Sequence, residues 1–266
     1  MKKISIKNFS KSFGGVTVFD SFFCVFNEGI NVVMGPSGSG KTTLLNAVAG
    51  LVTYDGVIEI DEIEYKNKSS AAVSYVFQEH RLIAQKTVFQ NLDFVLAGTI
   101  SDKRERRQKI EEVLCRIGLG GEGGLYPGQL SGGMAQRVSL ARAFLYPSDI
   151  LLMDEPFKGL DSDTKDNVIE VFFRLWEEGK RTVLFVTHDR LEAYRLGGVL
   201  YQPSKNACLQ GHFCDHDKGL KPRPKGRNQT PPVFGVQGSA LGFKTLYNFP
   251  NKPIKGEVVG EIMHNA

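Results

Sequence analysis

Two hydrophobic rhythms alternate along the chain. Near the start, Ile4 and Ile6 alternate with polar neighbours, and short apolar runs follow at 16–19 and 22–26 across the turn-forming pair Gly14-Gly15. These positions predict strands, and so do the runs at 57–60 and 72–77. From about 85 to 146 the period changes: Ile110, Val113, Leu114 and Ile117 recur at i, i+3, i+4 and i+7 behind a charged face, which predicts an inserted helical lobe. The runs ILLM at 150–153 and TVLFV at 182–186 are continuously apolar, as parallel strands buried on both faces should be. A helix is expected between them at 162–178, and another at 134–146. Strand and helix in alternation predict an α/β fold with a parallel sheet. No internal repeat is evident. After about 203 the rhythm dissolves into KGLKPRPKGRNQTPP, whose prolines and basic residues predict an extended linker and tail over 203–266.

Composition narrows this picture only a little. The chain has 266 residues, 41% of them hydrophobic and 23% charged, which suits a large globular domain or a domain with an inserted lobe. No stretch approaches the roughly 20 apolar residues of a membrane span, and Lys7 and Asn8 interrupt any apolar leader. Cys24, Cys115, Cys208 and Cys214 are few and irregularly spaced, which fits a reducing compartment. A cytoplasmic protein is expected. The net charge of +4 is mild. Much of it comes from basic clusters at 103–109 and 218–227, read as a solvated face and tail; no nucleic-acid partner is expected.

Candidate chemistry begins at 35–43, Gly35-Pro36-Ser37-Gly38-Ser39-Gly40-Lys41-Thr42-Thr43, between a strand-like and a helix-like run. It matches G-x-x-x-x-G-K-[ST] at every fixed position. Gly35, Gly38 and Gly40 allow the chain to curl and aim successive N–H groups at an anion. The helix beginning near Gly40 adds its positive dipole end. Lys41 is placed to reach the β- and γ-phosphates, and the Thr42 hydroxyl to complete the coordination of Mg²⁺.

Two further motifs separate the kinds of nucleotide protein. ILLMDEP at 150–156 ends an apolar strand in two carboxylates. Asp154 is the expected outer-sphere or water-bridged ligand of the Mg²⁺ held by Thr42, and Glu155 a group to orient or deprotonate an attacking water. LSGGMAQR at 130–137 offers the Ser131 hydroxyl and the N–H groups of Gly132 and Gly133 at a helix start, a second anion-binding terminus. One ATP already occupies the first loop, so the second grip is read as serving the ATP of another subunit.

The order of 35-GPSGSGKTT-43, Gln78 in VFQE, 130-LSGGMAQR-137, 150-ILLMDEP-156, GLD at 159–161 and His188 in VTHD resembles the ATP-binding subunit of an ABC transporter. The resemblance covers roughly 1–202. It implies a P-loop NTPase core with a parallel sheet, an N-terminal antiparallel β subdomain and the inserted helical subdomain. Phe13 would stack on adenine where relatives more often use tyrosine; a core position is the alternative. Gln78 would touch Mg²⁺ or the attacking water, His188 would hydrogen-bond the γ-phosphate, and Asp161 would meet the facing subunit. The implied partners are a second copy of the chain in an ATP sandwich, membrane permease subunits and an extracytoplasmic solute-binding protein. The implied location is peripheral on the inner face of the cell membrane. LSGGMAQR and FQEHRLIAQKTVFQNL are most similar to importers of nitrate, aliphatic sulfonates, taurine and thiamine-type precursors. Motif order leaves an exporter open, as well as a non-transport ATPase of DNA repair or translation.

The sequence also departs from the family pattern. His80 stands where relatives usually carry proline, Ile83-Ala84-Gln85 replaces a Leu-Pro-Trp-like run, and Lys158 replaces a residue that is usually small. In the tail, Cys208, His212, Cys214 and His216 form C-x3-H-x-C-x-H, a possible metal set whose spacing differs from known zinc patterns.

Overall fold

β3 (Ile30–Met34), β7 (Ile150–Asp154) and β8 (Thr182–Thr187) have both faces covered, and for that reason every residue in them is buried. Alternate side chains feed two separate cores. Val32, Leu151, Met153, Val183 and Phe185 join one, while Val33, Ile150, Leu152, Leu184 and Val186 join the other. The computed structural model describes residues 1–65, 72–203 and 243–248.

The first core contains the buried faces of α2 (Val88–Leu96), α3 (Lys103–Arg116), α4 (Gly132–Leu145) and α5 (Ser162–Glu178). Ile110, Val113, Leu114 and Ile117, the expected helical stripe, all lie in it. The second core lies between the parallel sheet, α1 (Lys41–Val48) and an antiparallel sheet. That sheet has the order β2-β1-β4-β5, from β1 (Ile4–Phe13), β2 (Val16–Phe26), β4 (Asp55–Ile60) and β5 (Ile63–Glu64). The runs at 16–19 and 22–26 are one strand. Ser21, at φ 49°, marks an irregularity in its pairing with β1.

The main sheet has the order β10-β9-β3-β8-β7-β6, with β6 (Val73–Val76) at one edge, β9 (Val199–Pro203) beside β3, and α6 (Arg190–Leu196) preceding β9. The strands from β9 to β6 are parallel. Two expectations are corrected. The helix placed at 134–146 starts two residues earlier, because Ser131 caps it, and Tyr146 leaves it with an extended backbone. Within the expected tail, β10 (Phe243–Asn248) pairs antiparallel with β9 and extends the sheet; a polar, interrupted run gives no period-2 signal from which to read such an edge strand. The segment KGLKPRPKGRNQTPP and the set Cys208, His212, Cys214 and His216 lie outside the described residues. Among the described residues no helix is long and apolar enough to cross a membrane.

Candidate nucleotide-binding site

Four neighbouring parallel strands end side by side, and each carries one piece of the expected chemistry past its carboxyl end. β3 leads into 35–43, β6 into Gln78, β7 into Asp154 and Glu155, and β8 into His188. Topology thus gathers residues separated by 150 positions.

The loop at 35–43 turns where Ser39 N donates to Pro36 O at 3.3 Å. Gly38 and Gly40 take φ 80° and 85°, the left-handed region closed to most side chains, whereas Gly35, expected to do the same, is not among the positive-φ residues. Gly40 is also tight in space: a Cβ there would stand 2.7 Å from the Phe19 ring of β2. α1 begins at the next residue, so its free N–H groups face the loop. Lys41 is 5% exposed and donates to Gly35 O at 2.8 Å and Pro36 O at 2.7 Å. Burial pulls its ammonium below the ordinary lysine value, against the opposing pull of Glu155 and Asp154.

Burial pushes Asp154 up, and a hydrogen bond from the Thr42 side chain and the charge of Lys41 act the other way. A buried carboxylate joined to a threonine hydroxyl is a donor set suited to a hard divalent cation, so the residues present fit Mg²⁺. Glu155 has φ 43° and is held by its N–H to Val186 O at 3.0 Å. Its Oε1 lies 3.0 Å from His188 Nδ1, and its Oε2 lies 2.9 Å from Lys158 Nζ. Burial pushes its carboxyl up, but Lys158 and His188 outweigh burial and hold it below the usual value.

Supporting contacts fix these loops. Behind His188, Thr187 Oγ1 donates to buried Glu192 at 2.6 Å, and Lys165 of α5 pairs with Glu192 at 2.7 Å and Asp189 at 3.1 Å. Asp189 also caps α6. Gln78 is exposed, after a stack in which Tyr75 and Phe77 lie 4.0 Å apart and Arg81 sits 3.9 Å from the Phe77 ring. His80 Nδ1 meets Gln136 Oε1 of α4 at 2.7 Å, and Arg142 of α4 donates to the carbonyls of His80 and Arg81. The His80 departure therefore ties the Gln78 segment to the helix of LSGGMAQR. Phe13 is exposed at the end of β1 with Lys11 Nζ 4.8 Å from its ring centre, so it is not a core residue.

Ser131, Gly132, Gly133 and Asp161 form a different group. Ser131 Oγ accepts from Met134 N at 3.3 Å, and Asp161 accepts from Thr164 N at 3.0 Å, each capping its own helix. The hydrogen bonds from Thr164 hold the Asp161 carboxyl below its usual value. A Cβ on Gly133 would stand 2.3 Å from Thr164 Cγ2, so α4 and α5 meet here. The adjoining cavity of about 290 Å³ is lined by Ser131, Gly133, Arg137, Thr164 and Arg174 among others, with no residue of 35–43.

Sequence reasoning missed the partners of Lys158 and the Lys165–Glu192 network. Lys165 carried a faint signal, four residues after the helix-capping Asp161; Lys158 carried only its departure from the family pattern.

A phosphate-binding loop and paired carboxylates at the ends of a parallel sheet, under an antiparallel sheet and beside a helical lobe, define a nucleotide-binding cassette of the P-loop class. The sequence profile described as ABC transporter matches residues 20–158. The aliphatic sulfonates import ATP-binding protein SsuB of Bacillus cereus is 42% identical over 192 residues, 71% of this chain and 75% of the relative. The sulfate/thiosulfate import ATP-binding protein CysA of Caulobacter vibrioides is 36% identical over 205 residues, 73% of this chain and 59% of the relative. A dimeric structure of the ATP-binding cassette MJ0796 in a post-hydrolysis state, bound to ADP and Pi, has a TM-score of 0.66 and 30% identity, covering 75% of this chain and 93% of that one. The chain belongs to the ABC transporter family, as one of its ATP-binding, ATP-hydrolysing subunits.

Proposed function

We propose that two copies of this subunit enclose ATP between them and that the resulting closure and reopening drive import of a small solute through separate membrane-embedded subunits. The observation that carries this reading is the division of the site. Lys41, Thr42, Asp154, Glu155 and His188 follow the ends of neighbouring strands, while Ser131 and Gly133 line a cavity that contains none of them. A cassette holding only one half of its phosphate contacts is completed by a second copy.

In each site the amides of 35–43 and Lys41 hold the phosphates, and Phe13 stacks on adenine. Thr42, Asp154 and Gln78 would hold Mg²⁺, which when bound would supply charge neutralisation for phosphoryl transfer. Glu155 accepts the proton of a water whose oxygen bonds to the γ-phosphorus as the bond to the ADP oxygen breaks. Nδ1 of His188 is engaged by Glu155, leaving Nε2 for the γ-phosphate, to which it donates when both ring nitrogens carry a proton. Ser131, Gly132 and Gly133 complete the grip from the facing copy, next to its Asp161.

The import direction is supported by relatives named for sulfonate and sulfate import. A peripheral position on the inner membrane face, permease subunits and an extracytoplasmic solute-binding protein follow from the same reading. The test is reconstitution with the membrane subunits that co-purify with the chain, in vesicles loaded with ATP, adding binding protein and labelled sulfonate or sulfate outside. Uptake that requires internal ATP is expected. Outward movement would establish an exporter, and ATP turnover stimulated by DNA or ribosomes without any membrane subunit would establish a non-transport ATPase.

A further inference from the structure

We propose that Lys158 is a brake on hydrolysis, its ammonium covering the Glu155 carboxylate oxygen to which the attacking water must hand its proton. The inference rests on Glu155 being the proton acceptor.

The geometry around Glu155 leaves little room for that water. The backbone at φ 43° is a conformation that a residue with a side chain keeps only when its surroundings impose it, and contacts to His188 and Lys158 hold the carboxylate at both oxygens. Oε1 is engaged by His188. Oε2 is buried from solvent, and the contact it makes is with Lys158 Nζ, 2.9 Å away as an ion pair. A buried acceptor oxygen whose partner is a withdrawable cation is suited to take a proton once the cap has gone, because it is then left unpaired. The other charges in this cluster are Lys41 from α1 and Asp154 from β7. Neither of them covers Oε2.

Lys158 is built to leave. The Lys158 side chain is 48% exposed against 11% for that of Glu155, so the ammonium reaches the carboxylate from the solvent side. The next residue, Gly159, takes φ 81° with open space around it. The same short loop ends in Asp161, which the proposed function places against the facing copy. Closure that moves this loop therefore moves Lys158 as well, and withdrawing it exposes Oε2.

The experiment is steady-state MgATP hydrolysis by the purified full chain as Lys158→Gln, Lys158→Arg, Glu155→Gln and the double variant Lys158→Gln/Glu155→Gln. Lys158→Gln is expected to raise kcat about fivefold, the factor that a half-exposed ion pair can hold back, with KM for ATP unchanged. Lys158→Arg should keep the wild-type rate, because its guanidinium still pairs with the carboxylate. In the Glu155→Gln background, Lys158→Gln should change nothing. An unchanged or lower kcat in Lys158→Gln beside an inactive Glu155→Gln would overturn the brake and leave the proton acceptor standing. An equal gain in the double variant would show that the effect does not pass through Glu155 and would also overturn it. Normal hydrolysis by Glu155→Gln would remove the proton acceptor itself, and the brake with it.

Discussion

The strand-end cluster and the helix-start cluster are both proposed to grip phosphate, but they are built in opposite ways. Around Lys41, Asp154 and Glu155, charges are buried and perturb one another, and sheet topology fixes their positions. Around Ser131 and Asp161 the polar groups are exposed, and each is occupied in capping its own helix. A buried cluster of mixed charge is expensive to assemble and works only if complete. Exposed N–H groups at a helix start cost little to maintain, and a negative ligand brought by another molecule can use them. On the proposed function, the first cluster is where chemistry would happen, and the second is what a partner would bring to it.

The strongest way to break this contrast is at Lys41. Lys41→Ala removes the one cation that α1 contributes and leaves Asp154 and Glu155 facing the phosphates unopposed from that side. Turnover should fall by about 10³-fold, with nucleotide binding weakened in parallel. Hydrolysis and nucleotide titration on the purified variant measure both, and undiminished hydrolysis would mean that the phosphates bind elsewhere.

Glu155→Gln comes next. It keeps the shape of the side chain and removes the proton acceptor, so hydrolysis should drop by about 10²-fold while ATP binding persists. With reopening blocked, the variant should run as an ATP-bound dimer in gel filtration. A variant that binds ATP and remains monomeric at high concentration would leave the helix-start cluster without a role in trans.

Mixing chains sharpens the same comparison. Ser131→Arg places a large cation in the second cluster, and Lys41→Ala disables the first, so each chain alone should be inactive. In an equal mixture of two-fold dimers, half pair unlike chains and each of those has one intact site, restoring about a quarter of wild-type turnover. Recovery near zero would show that both clusters must belong to the same chain.

The two clusters were also unequally legible in the sequence. Gly38, Gly40, Lys41, Asp154 and Glu155 could be read because a phosphate loop and paired acids each need fixed residue types at fixed spacing. The two-faced burial of β7 and β8 followed from their unbroken apolar runs. The partner of Lys158 could not be read, since a flexible lysine three residues from an acid has many available geometries and only the backbone turn at Glu155 selects one. The His80–Gln136 tie joins residues 56 apart through packing that no local pattern encodes. β10 escaped notice for a similar reason: a short edge strand needs only backbone pairing, which any sequence without proline can supply.

The smallest effect tests why the second cluster has glycine at 133. Gly133 is not in the left-handed region, so its side chain is excluded by space rather than by backbone conformation. The space is taken by Thr164 Cγ2, 2.3 Å from where a Cβ would lie. Gly133→Ala should therefore cost about 1–3 kcal/mol of stability, as overpacking does, read as a lowered denaturation midpoint. Thr164→Ser deletes the offending methyl and keeps the hydroxyl that bonds Asp161, so on its own it should be nearly silent. Combined with Gly133→Ala, it should recover most of the loss, and the double-mutant cycle should report a coupling of about 1 kcal/mol or more. If Thr164 turns its methyl aside instead, Gly133→Ala will be as stable as wild type and the cycle will show no coupling. The requirement for glycine would then lie in the approach of a partner's phosphate rather than in the packing of α4 on α5. Where the loss is recovered in stability, Mg-ATP-dependent dimerisation of the double variant distinguishes the remaining possibility: dimers that form normally assign Gly133 to packing alone, and dimers that fail to form assign it to both.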